Sequence, residues 1–426
     1  MIINFYRLTL LLVFATTVDY RFFAGIPGIP SVTLTEIIAY PMVILYAGRE
    51  LFETSIVKEE ILLKYRNNRI LFWYFLWAAL AAIVASVFRS EPEVLKVFKN
   101  LLPSLMVYYF VSTYCNNVNR VKNLIRTYLF GIFINLMLGL SQYLTDWPRP
   151  VQMNDIVAEK MDIAGNVINR VATGLFNHPN GLAVLLLPAI ILIVALLVKN
   201  KSDNILRFPI ILIYLVLIVF VLKVTYAKGV FAWAIVGIGL LFLPEKFARW
   251  RFGLGLITLI AGITGISYFS FQKAITEGGA LETIISRMML WVAALDVIQS
   301  SNYIKIFGNG FKAMDVSSII FADWQYPNAH NGILNQIIFY GIPAFILYLA
   351  MYVKAIKNIT DAMLNSQCHL KTECLFIYSA LIALFGEYFF EPANDGVVLQ
   401  SHLFLLYALV QVLSKPMMRV NYECCE

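Results

Sequence analysis

The chain is built from continuous apolar runs, each about as long as a bilayer's hydrocarbon core is thick. A helix needs about 20 mostly apolar residues to cross that core. About twelve such runs can be marked, at roughly 7–24, 33–48, 68–88, 95–114, 122–143, 179–198, 206–222, 229–244, 252–270, 331–353, 372–389 and 396–414. They do not alternate with period two, so helices fit and a closed β-barrel does not. Only 14% of the 426 residues are charged, against roughly 25% in an average soluble domain. A water-soluble globule could not hide the rest. The expected fold is therefore an all-α integral membrane protein, with 1–426 forming one polytopic domain. Pro27, Pro30 and Pro41 interrupt the first two runs. The run from Leu8 to Val18 lacks a small-residue cleavage site and precedes further spans, so it reads as a retained helix, not a cleaved signal.

Charge orients such a bundle. Lysines and arginines gather on the cytoplasmic side of short connections. With the N-terminus inside, every short even-numbered connection is basic: Arg49 to Arg69, Arg120 to Arg126, Lys199 to Arg207, Lys246 to Arg251, Lys354 to Lys371, and Lys415 with Arg419. The net charge of +7 is thus a topology signal first, and nucleic acid is not an expected partner. The five cysteines, Cys115, Cys368, Cys374, Cys424 and Cys425, form no CxxC pair and fall at or near the inner side. They offer neither outer disulfides nor a metal site.

Two outer segments exceed simple connectors: about 145–177, and a large loop at about 271–329 between spans nine and ten. Long loops inside compact proteins are commonly functional. The second contains a helical pattern near Leu281–Gln299, with Leu281, Ile284, Ile285, Met288, Met289 and Val292 mostly on one face. Of four histidines, His369 falls in an inner loop and His402 inside the last span. His178 and His330 stand at the outer mouths of helices, each at the end of one long segment. Ionisable groups at such boundaries are commonly functional. Glu387, Glu391 and Asp395 cluster at the outer end of span eleven.

From His330-Asn331 the chain runs nine residues to Gly341-Ile-Pro-Ala344. This resembles the signature of the O-antigen ligase and O-antigen polymerase superfamily, with Ala344 where a glycine is usual. Gly174, Phe176, Pro179 and Asn180 are similar to the family segment entering a middle span. Thr225-Tyr-Ala-Lys228-Gly229 resembles its Ser-Arg-Gly segment, with Ala for Ser and Lys for Arg. Arg287-Met-Met-Leu-Trp291 followed by Gly308-Asn-Gly310 resembles the opening of its large outer loop. The resemblance covers about 170–350.

The resemblance implies a membrane glycosyltransferase in the bacterial inner membrane, its active face extracytoplasmic. It would move a glycan from a polyprenyl-diphosphate carrier to a sugar hydroxyl, on lipid A-core or on another lipid-linked glycan. Physical chemistry favours the same arrangement. The outer face lacks nucleotide sugars, so the donor must carry its own leaving group, and lipid retains it in the bilayer. The departing diphosphate needs cationic donors: Arg287 and Lys228 are the candidates, Arg170 a third. Arginine offers a planar fork for phosphate oxygens, lysine a point charge. The acceptor hydroxyl needs a base, and a histidine, with an unperturbed pKa near about 6.5, suits that role; His330 is the candidate. His178, Asn180, Asn331, Trp291 and Glu391 complete the expected substrate-binding set. Direct displacement needs no enzyme nucleophile and inverts the anomeric centre. No Asp-x-Asp pair or ligand-spaced His/carboxylate cluster occurs in the outer loops, so no metal or cofactor is expected. Gly308-Asn-Gly310 lacks the Lys-Ser/Thr of a phosphate loop and reads as a turn.

The rival reading is a polytopic transporter or flippase of lipid-linked oligosaccharide. Such a protein places its charges near mid-membrane, on broken helices in matching halves; here they collect at outer mouths. The charge distribution makes a direct prediction. A reporter fused near Gly278 behaves as extracytoplasmic, and one fused at the C-terminus as cytoplasmic. Cytoplasmic behaviour at Gly278 would remove the outer-face chemistry.

Overall fold

The computed structural model describes residues 4–19, 21–22, 31–52, 69–89, 93–145, 147, 159–161, 167–176, 178–199, 205–277, 281–310, 314–315, 325–326, 329–364, 371–391 and 397–414. The helices are α1 (Phe5–Ala15), α2 (Leu34–Phe52), α3 (Arg69–Arg89), α4 (Glu93–Tyr114), α5 (Val118–Thr145), α6 (Pro179–Lys199), α7 (Phe208–Thr225), α8 (Lys228–Leu241), α9 (Arg251–Glu277), α10 (Leu281–Gln299), α11 (Asn302–Phe307), α12 (Gly332–Leu364), α13 (Lys371–Tyr388) and α14 (Val397–Leu413). Among the described residues six, α3, α5, α6, α7, α9 and α12, are long and apolar enough to cross a membrane. Segments of α1, α2, α8 and α14 are apolar but shorter. The chain is an all-α membrane protein.

The structure adjusts several sequence expectations. The first run was expected to span 7–24, but α1 ends at Ala15. Thr16 and Thr17 turn their hydroxyls back onto the carbonyls of Val13 and Phe14, 2.7 Å each, and the chain leaves the helix. Strands were not expected, yet three small antiparallel pairs occur: β1 (Arg21–Phe22) with β2 (Val32–Thr33), β3 (Glu159–Met161) with β4 (Val167–Arg170), and β5 (Met314–Asp315) with β6 (Gln325–Tyr326). Strands this short carry no readable periodicity. The expected loop start at 271 moves outward, because α9 continues to Glu277. The expected helix at 281–299 is α10.

At the centre lies α13, buried along its length from Glu373 to Tyr388. It packs against α6, α8, α12, α9 and α14. Lipid tails are as apolar as leucine, so close packing must hold helices together here. The Trp233 ring of α8 is fully buried and sits over Gly386 of α13 and Gly262 of α9, where any side chain would strike it.

The second device is the break in α12. Gly341 stands at φ +85°, ψ 171° inside the helix, and Pro343 follows. Pro343 has no N–H to return to the Phe339 carbonyl. The loosened backbone is met from outside. Asn309 N–H donates to the Ile338 carbonyl, and Trp77 Nε1 donates to the Tyr340 carbonyl at 3.1 Å. The Trp77 indole stacks on Phe307, with centroids 5.7 Å apart and planes 2° from parallel. A Cβ at Gly341 would run into the Ile306 carbonyl.

That geometry predicts the effect of substitution. Backbone of this kind is essentially glycine-only, and another residue costs about 1–3 kcal/mol before the clash is added. Gly341→Ala therefore lowers the thermal midpoint of the purified protein. Ala344→Gly, in the same signature, costs no more than about 1 kcal/mol, the usual helix-interior penalty. Equal midpoints for wild type and Gly341→Ala would contradict this account of the kink.

Candidate functional site

Three helices begin where α13 ends. His178 precedes α6, Lys228 opens α8 and His330 stands two residues before α12, while Glu391 follows α13 by three. The fourth wall is α10, which contributes Arg287. The polar groups of α6, α10 and the approach to α12 meet at Glu391, itself only 7% exposed.

Each side chain is positioned by local chemistry. Pro179 suits the first turn of α6, where its missing N–H is not needed. Ahead of it, the segment at 172–176 folds inward. The Gln142 side-chain oxygen accepts the N–H groups of Thr173 at 2.9 Å and Gly174 at 2.8 Å, and its amide donates to the Gly174 carbonyl at 2.7 Å. Gly174 takes φ +59° and lies where a Cβ would press on the Asn135 side-chain oxygen. That oxygen accepts the Leu175 N–H at 3.1 Å.

His330 is held between two asparagines. Asn331 Oδ1 caps α12 by accepting from the N–H groups of Ile333 at 2.9 Å and Leu334 at 3.0 Å. Asn335 Oδ1 accepts from Ala329 N–H at 2.8 Å. Between them His330 adopts φ +47°. Among the described non-glycine residues positive φ occurs at His330 and at Tyr226, two positions before Lys228. Strained backbone of this type concentrates at functional sites.

Glu391 joins these elements. Its Oε1 accepts from Arg287 Nη2 at 2.5 Å and from Asn180 Nδ2 at 2.8 Å. Its Oε2 faces His330 Nδ1 at 3.9 Å, an ion-pair distance longer than a hydrogen bond. Arg287 Nη1 also donates to the Phe390 carbonyl at 3.1 Å. Burial pushes the Glu391 carboxyl up, but His330, Arg287 and His178 together hold it below the ordinary carboxylate value. Loss of water around the imidazole lowers the His178 pKa; Glu391 opposes this, and His330 and Arg287 add to it. His178 Nδ1 accepts the Asn180 N–H at 3.1 Å, so His178 and Asn180 are ordered together.

Of the other expected residues, Lys228, Trp291 and Asn331 have described side chains. Lys228 is exposed at the start of α8 and, among the described residues, makes no ion pair. It is tied to the site through its neighbour: a Cβ on Gly229 would lie 2.9 Å from Glu387 Oε2. Trp291 packs edge-on against Phe389, centroids 5.6 Å apart, and its indole N–H has no partner among the described residues. The Asn331 carboxamide oxygen is engaged as a helix cap. Arg170 closes β4 opposite Glu159; its side chain and all of Asp395 lie outside the described residues. Sequence reasoning placed Glu387 in an acidic cluster that could orient His330 or a sugar hydroxyl, or consist of solvated loop charges. Glu387 is 2% exposed, its backbone carbonyl receives the N–H groups of Phe390 and Glu391, and its Oε2 has no partner among the described residues. Gln142 was missed altogether; only its place as a polar residue in an apolar run marked it.

The shared carboxylate gives a pH signature. A carboxyl whose folded pKa is depressed contributes its full stabilisation above the ordinary value and loses it as pH falls through the folded value. Here the ordinary value is 4.5. Melting temperatures of wild-type protein should therefore fall more steeply below that pH than those of Glu391→Gln, while Glu391→Gln starts lower at neutral pH. Parallel curves would show that Glu391 is not held as an ion.

No protein-family model matches the chain, and a search of curated proteins finds no significant similarity.

Proposed function

We propose that this protein is a glycosyltransferase of the bacterial inner membrane, of the O-antigen ligase or polymerase type, with about twelve spans and its active face outside. The reading is carried by one observation. Arg287, Asn180 and His330, from three separate elements, meet at one carboxylate, and each lies in a segment resembling that superfamily.

The reaction joins an acceptor sugar hydroxyl to the anomeric carbon of a glycan on polyprenyl diphosphate. The new C–O bond forms as the bond to the diphosphate breaks, on the opposite face of the sugar. Arg287 has five N–H donors; one serves Glu391 and one the Phe390 carbonyl. Among the described residues the remainder have no partner, so they can donate to phosphate oxygens while the two fixed bonds aim the guanidinium. Lys228 adds a mobile positive charge at the rim. With Nδ1 of His330 turned to Glu391, Nε2 is the nitrogen assigned to the acceptor's proton. Glu391 then holds the imidazole in orientation and stabilises its charged form, as the carboxylate of a hydrolase triad does. Donors preorganised toward a departing charge need no rearrangement during the step. The transporter reading is less well supported, because these paired charges lie at helix ends and not at mid-span.

The test is transfer measured in membranes holding equal amounts of each variant. Arg287→Ala should cost about 10²–10³ in rate, as loss of one transition-state donor does. His330→Ala should lose a general-base factor of about 10²–10⁴. Lys228→Arg should be tolerated and Lys228→Ala should not. His402 is off the site but 2% exposed and stacked on Tyr128, so its removal would open a cavity and it is no neutral control. Lys223→Ala, an exposed cation on α7, is the better control. Transfer should persist in excess chelator. Wild-type transfer by His330→Ala would exclude His330 as the base. Glycan accumulating at full length on its lipid carrier in a deletion strain identifies a ligase; single repeat units identify a polymerase.

A further inference from the structure

We infer that His178 is a second functional imidazole of the site: a neutral hydrogen-bond donor whose Nε2–H binds an oxygen of the donor's diphosphate beside Arg287. This role rests on the glycosyl-transfer reading above and adds one more group to its leaving diphosphate. The bond at the other ring nitrogen decides the tautomer. Nδ1 accepts the Asn180 N–H at 3.1 Å, and the His178 carbonyl accepts the Gly181 N–H at 3.1 Å. The side chain therefore caps the first turn of α6. A neutral imidazole carries one proton, and the nitrogen that accepts a bond cannot hold it. The proton is on Nε2. Protonating Nδ1 as well would set two donors face to face and break the cap.

Three observations separate this residue from a plain cap. The first is the nitrogen left over. Serine, threonine, aspartate and asparagine are the preferred caps; histidine caps with one nitrogen and presents a second, farther out, with a proton on it. His178 is exposed, and among the described residues its Nε2 makes no hydrogen bond, so a ligand can reach it. The second is placement. Asn180 gives its backbone N–H to His178 and its side-chain Nδ2 to Glu391 Oε1, the same oxygen that receives Arg287 Nη2. His178 and Arg287 are thus anchored to one asparagine–carboxylate pair. The third is charge. Loss of water lowers the His178 pKa; of the charged groups that face it, Glu391 after α13 opposes this, while His330 before α12 and Arg287 of α10 add to it. The two imidazoles therefore divide their work, as titratable pairs in unlike surroundings do. His330 Nδ1 faces Glu391, which suits it to take a proton, whereas His178 keeps the one it has. A neutral donor can bind a phosphate oxygen next to a guanidinium without repelling it.

Nitrogen NMR of the full-length protein, isotope-labelled at histidine, reads the protonation directly. The chain has four histidines, and the signal lost in His178→Asn is that of His178. It should show Nε2 protonated and Nδ1 bare at pH 6.5, the ordinary histidine value, where an unperturbed imidazole is half charged. Inorganic pyrophosphate is the binding probe. His178→Asn keeps a capping oxygen where Nδ1 stands but falls short of the Nε2 position. It should melt near wild type yet bind pyrophosphate about 10-fold more weakly, as loss of one hydrogen bond to a charged group does. His178→Gln, whose amide N–H reaches the Nε2 position, should bind as wild type does. A proton on Nδ1, an imidazole half or more charged at pH 6.5, or undiminished binding by His178→Asn would overturn the assignment. So would equal losses in the Asn and Gln variants, which would make the role one of packing alone. Failure of wild-type protein to bind pyrophosphate, or normal binding by Arg287→Ala, would instead strike at the diphosphate site itself, and the ligand assigned to His178 would fall with it.

Discussion

One end of this bundle depends on one carboxylate shared among several chain segments. Glu391 is nearly buried, and its two oxygens face different partners: Arg287 and Asn180 on one side, His330 on the other. A buried carboxylate alone would be heavily penalised, and removing one member of such a pair leaves an uncompensated charge. The arrangement therefore fixes α10, the start of α6 and the approach to α12 against the end of α13. It also gives a cation and an imidazole one shared partner. A neutral residue at 391 would leave Arg287 and His330 with no common reference point.

What brings Glu391 to that point is the packing of α13. In lipid, helices gain little by hiding apolar surface from one another, and contact quality decides. Gly386 admits the Trp233 ring, and Gly229 admits the Glu387 carboxylate. These two close approaches set α8 against α13 within the last turns before Glu391. The same glycine that lets Glu387 approach follows Lys228. The position of the mobile cation is consequently tied to the fixed carboxylates through backbone contact.

Much of the fold was legible because hydropathy reports which segments can live in lipid. The helix at 281–299 was readable in its bounds but not in the face it buries: Met288 and Val292, read on the apolar face, are half exposed, while Leu290, Ala293 and Ala294 are buried. The first span was misread. Hydropathy counts apolar residues but does not see Thr16 and Thr17 bonding back to the preceding turn. The site was half legible. His330, Arg287 and Lys228 stand in segments with recognisable spacing. Asn331 caps its own helix, a contact open to local reading, but the service of Gln142 to the Gly174 turn and the contact of Gly229 with Glu387 are tertiary facts. Local sequence carries no trace of them, because their partners come from other helices or loops.

The spacing from His330 to Gly341 has a mechanical meaning. Between them α12 makes a short, stiff segment that starts at a strained histidine and ends at a strained glycine. The turn after α11 docks on its far end: Asn309 donates to Ile338, and a Cβ on Gly308 would lie 2.6 Å from the Phe339 carbonyl. That turn follows α10, which carries Arg287, with only α11 between. The two candidate groups are thus registered against opposite ends of one rigid piece of helix. Lengthening that piece by one residue would rotate His330 by about 100° around the helix axis, given 3.6 residues per turn. It would carry the imidazole away from Glu391 while leaving Arg287 in place. The fixed interval between histidine and glycine is what holds His330 and Arg287 at a constant separation.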